Sequence, residues 1–358
     1  MEPLDSVRKK IEVPGEHESQ ILEGFDEAAE SLTSYQKCRK NRHHRTFIPI
    51  TDFSMSHVPE EYRKEDILKS ILNISARTVK VCVKYTSPER PNDYIFANCR
   101  GKTIPHTGSG FVVSVNKRRD PCPCCECRDS SSQYKDWFAI TVVTARHVVY
   151  NSEEASFSQF DFFYDDKSQS QMKSLRAVQV EFENLFRESD VSLILCATHD
   201  CDLANTITGG IKDCCSFSKG RVCLGSDQES DKEGMLCIVV SHPHGQPKMV
   251  TVGRAIEWIQ KDQCLLYSAC YDTDTCPGSS GAPVILISSD SSKDIWALSH
   301  SSGGDFRGLN RSGGSYASGG VCSRGRRSSL PVLQNTMGLN ITLYAWGFSA
   351  LYSRHLIL

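Results

Sequence analysis

The sequence predicts an all-β protein. Three observations point there: from Thr78 onward it breaks into short β-type runs separated by turn residues; helix-period apolar spacing is confined to a stretch near Pro59–Leu72; and no apolar run reaches the 18 or so residues a membrane span requires. Many short strands with few helices between them read as a sandwich or a barrel.

Residues 1–66 are charged and weakly periodic, and are expected to form an N-terminal extension that is partly disordered. They include the basic stretch Lys37-Cys38-Arg39-Lys40-Asn41-Arg42-His43-His44-Arg45. Ile67, Leu68, Ile71 and Leu72 make an apolar stripe at helical spacing. Strands are expected at Val79–Val83, Gly110–Val115, Phe138–Val143, Phe157–Tyr164, Ala177–Phe182 and Val191–Cys196, then at Met235–Val240, Lys248–Ile256, Cys264–Tyr271, Pro283–Ile287 and Ile295–Leu298. Residues 303–358 form a tail that opens rich in Gly, Ser and Arg, with the character of a solvated linker, and ends in a segment with no clear strand pattern.

A length of 358 residues suffices for one large domain or two medium ones, and a formal net charge of -2 supplies no global field for nucleic acid or an anionic membrane. The polar start Met1-Glu2-Pro3-Leu4-Asp5 is not followed by the apolar stretch of a signal peptide. The 17 cysteines are therefore expected to be mostly reduced, in a cytoplasmic or nuclear compartment. No cofactor, membrane or nucleic-acid partner is expected.

Three segments carry chemistry. Thr144-Ala145-Arg146-His147-Val148-Val149 ends one apolar run, Ser189-Asp190-Val191-Ser192-Leu193 opens another, and Cys276-Pro277-Gly278-Ser279-Ser280-Gly281-Ala282-Pro283-Val284 holds a serine in a glycine-flanked turn. A seryl hydroxyl needs a base to become nucleophilic near neutral pH. His147 could take and return the Ser280 proton while Asp190 fixes the imidazole tautomer. The N–H groups of Gly278 and Ser280 would face the developing oxyanion. Asp200 and Asp202 are rival acids, and His199, His242 and His244 rival bases, but none has the matching strand context.

These motifs, in the order His, Asp, Ser, resemble trypsin-like serine peptidases of the chymotrypsin fold, in texture the HtrA-like and V8-like branches. Gly108-Ser109-Gly110-Phe111-Val112-Val113, His242-Pro243-His244-Gly245 and Asp272 to Pro283 extend the likeness over about residues 75–302. The resemblance implies two six-stranded β-barrels, the first over about 67–196 and the second over about 197–302, with a protein or peptide substrate bound between them. It implies serine endopeptidase activity. A catalytically inactive homologue that binds proteins is the alternative.

Ser279 stands where digestive trypsins carry an activating Asp, so trimming of the extension is not expected to be required. Asp274, which precedes the nucleophile as the pocket acid of trypsins does, is a candidate for selecting basic side chains. Ser299, His300 and Ser301 are candidates for the edge that pairs with substrate backbone. Cys122, Cys124, Cys125 and Cys127 are weak candidates for a metal site, because four ligands from so short a span would strain a tetrahedron.

Overall fold

The computed structural model describes residues 16–22, 26–128, 136–181, 190–215, 234–261, 266–288, 295–304, 307–313 and 315–316. Most of the 303–358 tail lies outside this set. In chain order, two short strands, β1 (Glu16–His17) and β2 (Gln20–Ile21), precede helix α1 (Glu27–Gln36). The Asp26 side chain caps α1 by accepting from the N–H groups of Ala28 and Ala29. Strand β3 (Ile48–Pro49) and helix α2 (Glu65–Ala76) follow. The α2 stripe buries Ile67, Ile71 and Ile74 against Leu236, Ile238, Val240 and Ile285; the expected helix exists, but it starts at Glu65 rather than Pro59 and runs on past Leu72 to Ala76.

The first barrel comprises β4 (Thr78–Val83), β5 (His106–Arg118), β6 (Trp137–Ala145), β7 (Ser158–Phe162), β8 (Lys173–Glu181) and β9 (Val191–Thr198). The order β5-β4-β7-β8-β9-β6 returns to β5 through antiparallel β5–β6 pairing, which closes six strands. Val81, Val112, Ile140, Val142, Phe160 and Ile194 fill its interior, with alternating residues turned inward as the pleat requires. Two short helices, α3 (Cys125–Arg128) and α4 (Ser152–Ser156), lie in its connections, and α5 (Cys201–Cys215) leads towards the second barrel.

The second barrel contains β10 (Leu236–Ser241), β11 (Met249–Lys261), β12 (Leu266–Tyr271), β13 (Pro283–Ile287), β14 (Ile295–Gly303) and β15 (Asn310–Ser312), with β16 (Ser315–Tyr316) appended to β12. It closes as β12-β15-β14-β13-β10-β11 and back to β12. The barrel therefore continues past residue 302: Asn310 and Arg311 pair with β12, a use of the tail that its Gly/Ser-rich texture conceals.

Residues before 67 are also used by the barrels. β1 pairs with β14, β2 with β5 and β3 with β11, so the extension is laid across both barrels. No helix among the described residues is long and apolar enough to cross a membrane.

Candidate active site

The turn between β12 and β13 holds Ser280 with no exposed surface. Two glycines in it are required by space and by conformation. Gly278 has φ 97°, and a Cβ there would stand 2.5 Å from the His242 carbonyl oxygen; Gly281 has φ 86°, and its Cβ would stand 2.1 Å from the Ser109 carbonyl. The first barrel grips the turn through Ser109, whose N–H donates to the Ser280 carbonyl at 2.7 Å and whose hydroxyl donates to the Gly278 carbonyl at 2.8 Å.

His147 follows β6 and is fully buried. Its Nε2 lies 2.7 Å from Ser280 Oγ, and its Nδ1 lies 2.8 Å from Asp190 Oδ2. Asp190, the residue before β9, has φ 52°, an uncommon conformation for a non-glycine residue. Its Oδ1 accepts the main-chain N–H of His147 at 3.0 Å, and its Oδ2 accepts the Ser301 hydroxyl at 2.5 Å. Behind His147, Arg90 Nη1 donates to the His147 carbonyl at 3.0 Å while its guanidinium makes a fully buried bidentate pair with Glu154 at 2.6 and 2.7 Å.

Burial pulls the His147 imidazole down, Asp190 works against it, and the neighbouring His17 adds to the lowering, leaving a pKa of about 4. Burial pushes Asp190 up, but the charge and hydrogen bond of His147 outweigh that, with help from His17 and Ser301, and hold it at about 2. At neutral pH the pair is thus a neutral imidazole beside a carboxylate, the state in which Nε2 can accept a proton.

The cleft in front of these groups is filled by residues 16–22 of the same chain. Glu16 and His17 pair antiparallel with Gly303 and Ser302 of β14, while Gln20 and Ile21 pair with Thr107 and His106 of β5. Between the two pairings the carbonyl of Glu18 accepts from the N–H groups of Gly278 at 2.6 Å and Ser280 at 3.3 Å. The Glu18 N–H donates to Ser280 Oγ at 3.0 Å, and the His17 ring stacks on His147 with centroids 3.9 Å apart.

The Glu18 side chain enters a pocket of basic character and is only 4% exposed. Oε2 lies 2.7 Å from His300 Nε2, and Oε1 pairs with the Lys40 ammonium. His300 Nδ1 is in turn 2.5 Å from the Tyr271 hydroxyl, and Lys40 also donates to Thr275 Oγ1 at 3.1 Å and Asn310 Oδ1 at 3.2 Å. Burial alone would raise the Glu18 carboxyl, but the hydrogen bond and charge of His300, together with Lys40, overcome it and hold the group at about 2.

His147, Asp190, Ser280 and the Gly278 N–H thus converge. The pocket residues differ from those the motifs suggest. The Asp274 carboxylate accepts from Thr46 Oγ1 at 2.7 Å, and the groups that reach Glu18 are His300 and Lys40. Backbone pairing falls on Ser302 and Gly303, because Ser299 is paired with Pro283 within the barrel and His300 faces the pocket. Of the rivals, Asp200 caps α5 through the Leu203 N–H, and His242 Nδ1 meets the Gln246 carbonyl. Lys40 was not legible as a pocket residue: a basic run in a charged extension carries no mark of what it folds against.

Two further clusters bring thiols and imidazoles together. Cys122, Cys124 and Cys127 meet His199, leaving Cys125 out, and Cys38, His44, His244 and Cys276 form a second group beside the Ser280 turn. No disulfide forms among the cysteines whose side chains are described.

Two closed antiparallel six-stranded barrels, with the His147–Asp190–Ser280 cleft between them, decide the architecture. This is the chymotrypsin-like fold. No family model and no curated protein matches the sequence. Among solved structures the double barrel is similar to the active form of the Rv3671c protease from M. tuberculosis, at 16% identity and a TM-score of 0.36 over 68% of this chain and 78% of that one. It is also similar to the HtrA-type protease AlgW with a decapeptide, at 11% identity and a TM-score of 0.37 over 69% of this chain and 63% of that chain.

Proposed function

We propose that the protein is a serine endopeptidase. The observation that carries this reading is the hydrogen-bonded run Asp190–His147–Ser280 facing a peptide carbonyl held by two main-chain N–H groups. Ser280 Oγ attacks that carbonyl while His147 Nε2 takes its proton; Asp190 holds the imidazole by Nδ1 and stabilises the imidazolium. The N–H groups of Gly278 and Ser280 receive the negative charge as the carbonyl becomes tetrahedral. The C–N bond breaks, His147 returns the proton to the leaving amine, and water then cleaves the acyl-enzyme by the same route.

Labelling with a fluorophosphonate serine-hydrolase probe tests the reading. Wild type and Glu18→Lys, whose strand should release the cleft, are compared with Ser280→Ala. Labelling of either, absent from Ser280→Ala and lost on His147→Ala, is expected. Folded protein that never labels would overturn the reading in favour of a protein-binding homologue with a blocked cleft.

A further inference from the structure

We propose that the peptide bond Glu18–Ser19 is a site of intramolecular self-cleavage by Ser280. The inference rests on the endopeptidase reading and adds to it a substrate: the enzyme's own extension, cut after a glutamate. β1 forms one half of an extended peptide on β14, and β2 forms the other half on β5. The bond between them is the one whose carbonyl lies on the Gly278 and Ser280 N–H groups. A strand that merely blocked the cleft would have no need to place a carbonyl there, with the residue's own side chain in a matching pocket.

The pocket fits that side chain chemically. A buried carboxylate is tolerable only when paired, and Glu18 has His300 on one oxygen and Lys40 on the other. Lys40 is supplied by the segment after α1, so the extension provides both the substrate strand and part of the pocket that reads it.

In the reaction, Ser280 Oγ bonds to the Glu18 carbonyl carbon and its proton passes to His147. The bond to Ser19 breaks, with that proton going to the Ser19 amine. Water then displaces Ser280, leaving a carboxylate at Glu18 and a free N-terminus at Ser19. The β2 half keeps its own anchors, since Leu22 is buried and its N–H donates to the Pro105 carbonyl at 2.8 Å.

The test follows the full chain by intact mass and N-terminal sequencing. Wild type should yield a chain beginning at Ser19 and a fragment ending at Glu18, with a first-order rate independent of protein concentration. Ser280→Ala should stay intact, and Glu18→Lys should be cut at least tenfold more slowly. Wild type that stays intact while Glu18→Lys labels with the fluorophosphonate probe would overturn self-cleavage and leave the endopeptidase reading standing. Absence of both cutting and labelling would overturn both. Equal cutting of Ser280→Ala, or cutting at another bond, would also overturn the inference.

A second observation stands independently. We infer that the two thiol–imidazole clusters are structural zinc sites. Tetrahedral zinc at about 2.3 Å from sulfur and about 2.0–2.1 Å from nitrogen sets its ligand atoms about 3.3–3.8 Å apart. Cys38 Sγ and Cys276 Sγ are 3.6 Å apart, and Cys276 Sγ lies 3.4 Å from His44 Nε2. His244 is 3% exposed; its Nδ1 is held at 2.9 Å from Gln20 Oε1, and its Nε2 is buried with no hydrogen-bond partner. An oriented imidazole with an unsatisfied nitrogen among two thiols and a second imidazole is the donor set zinc takes. In the other cluster His199 Nε2 lies 3.8 Å from Cys124 Sγ and 3.2 Å from Cys127 Sγ, and Cys122 completes three thiols and one imidazole.

Elemental analysis of the full chain purified from zinc-supplemented medium should give two zinc ions per chain, falling to one in Cys38→Ser and one in Cys122→Ser. Cobalt in place of zinc should show the absorption of tetrahedral thiolate coordination. Metal-free folded protein, or a Cys38–Cys276 disulfide found by mass, would overturn the inference.

Discussion

The main-chain N–H of Glu18 donates to Ser280 Oγ at 3.0 Å, and the Ser280 N–H points back at the Glu18 carbonyl at 3.3 Å. Residues from opposite ends of the described chain thus stand as acyl group and hydroxyl. An incoming peptide meets β14 and β5 already paired, so the extension governs access to the cleft. Ser279 argues that trimming of the extension is unnecessary, whereas the paired strands β1 and β2 lie in the site, and nothing in the residue pattern of Glu16–Leu22 marks that placement.

Lys40 and His300 both contact the Glu18 carboxylate, so on the endopeptidase reading the pocket is expected to select carboxylates. The Glu18–His300 contact is buried, whereas the Lys40 side chain is 36% exposed and its share is screened by solvent. Truncating one partner of a fully buried charged hydrogen-bonded pair costs about 2–5 kcal/mol, and loss of Lys40 should cost less. In self-processed enzyme, peptides with glutamate before the scissile bond should exceed those with glutamine by about tenfold or more in kcat/KM, with lysine lower still. Lys40→Met should narrow the glutamate preference. A preference for lysine in wild type would count against the pocket and restore Asp274 as its determinant.

His147 sets an acid limit. Its pKa in the docked state is lowered to about 4, so it is neutral and able to accept the Ser280 proton above that value and is lost as base below it. The single-turnover rate of Glu18–Ser19 cleavage should be flat from about pH 7 to 5 and fall about tenfold per unit below 4. His106 is also held near 4, chiefly by burial. For both groups the unfolded chain binds more protons between pH 6.5 and 4, so their contribution to stability is complete above 6.5 and declines through that window. The maximum slope is about 1.4 kcal/mol per pH unit for each histidine, measurable as a falling denaturation midpoint.

Gly278 tests the oxyanion geometry. A Cβ would press on the His242 carbonyl and force the turn away from φ 97°, turning the Gly278 N–H off the substrate carbonyl. Gly278→Ala should lower kcat by about 10²–10³ with little change in KM, the effect of losing one oxyanion donor. Near-wild-type kcat in a folded variant would mean that this N–H is dispensable.

Much of the site was legible because its chemistry is local. The strands ending at Ala145 and beginning at Val191 place His147 and Asp190 side by side, and the glycine pattern of the Ser280 turn reflects steric limits that act within a few residues. The rest of the site depends on contacts distant in sequence. Lys40 acquires its role from Thr275 and Asn310, and β15 closes a barrel through only two pairs with β12. The ligand candidate His199 joins the thiols of Cys124 and Cys127 only because the end of β9 pairs with the start of β6, beside the β5–β6 connection that carries those thiols. No periodicity within any of these segments reports such a meeting.

Arg90 offers the last prediction. Its guanidinium and the Glu154 carboxylate are both fully buried, and Glu154 is also bound by the N–H groups of Ser87 and Tyr150 at 2.9 Å. Arg90→Met would leave a buried carboxylate without its countercharge, a change that typically costs about 3–5 kcal/mol. It would also remove the donor that holds the His147 carbonyl. Thermal unfolding should therefore drop by several degrees or more, and the rate of Glu18–Ser19 cleavage should fall in the remaining folded protein. The double variant Arg90→Met, Glu154→Leu removes the stranded charge, so it should recover much of the stability. It should not recover the rate, because the His147 carbonyl remains without its donor. Recovery of both would make the pair a packing element alone.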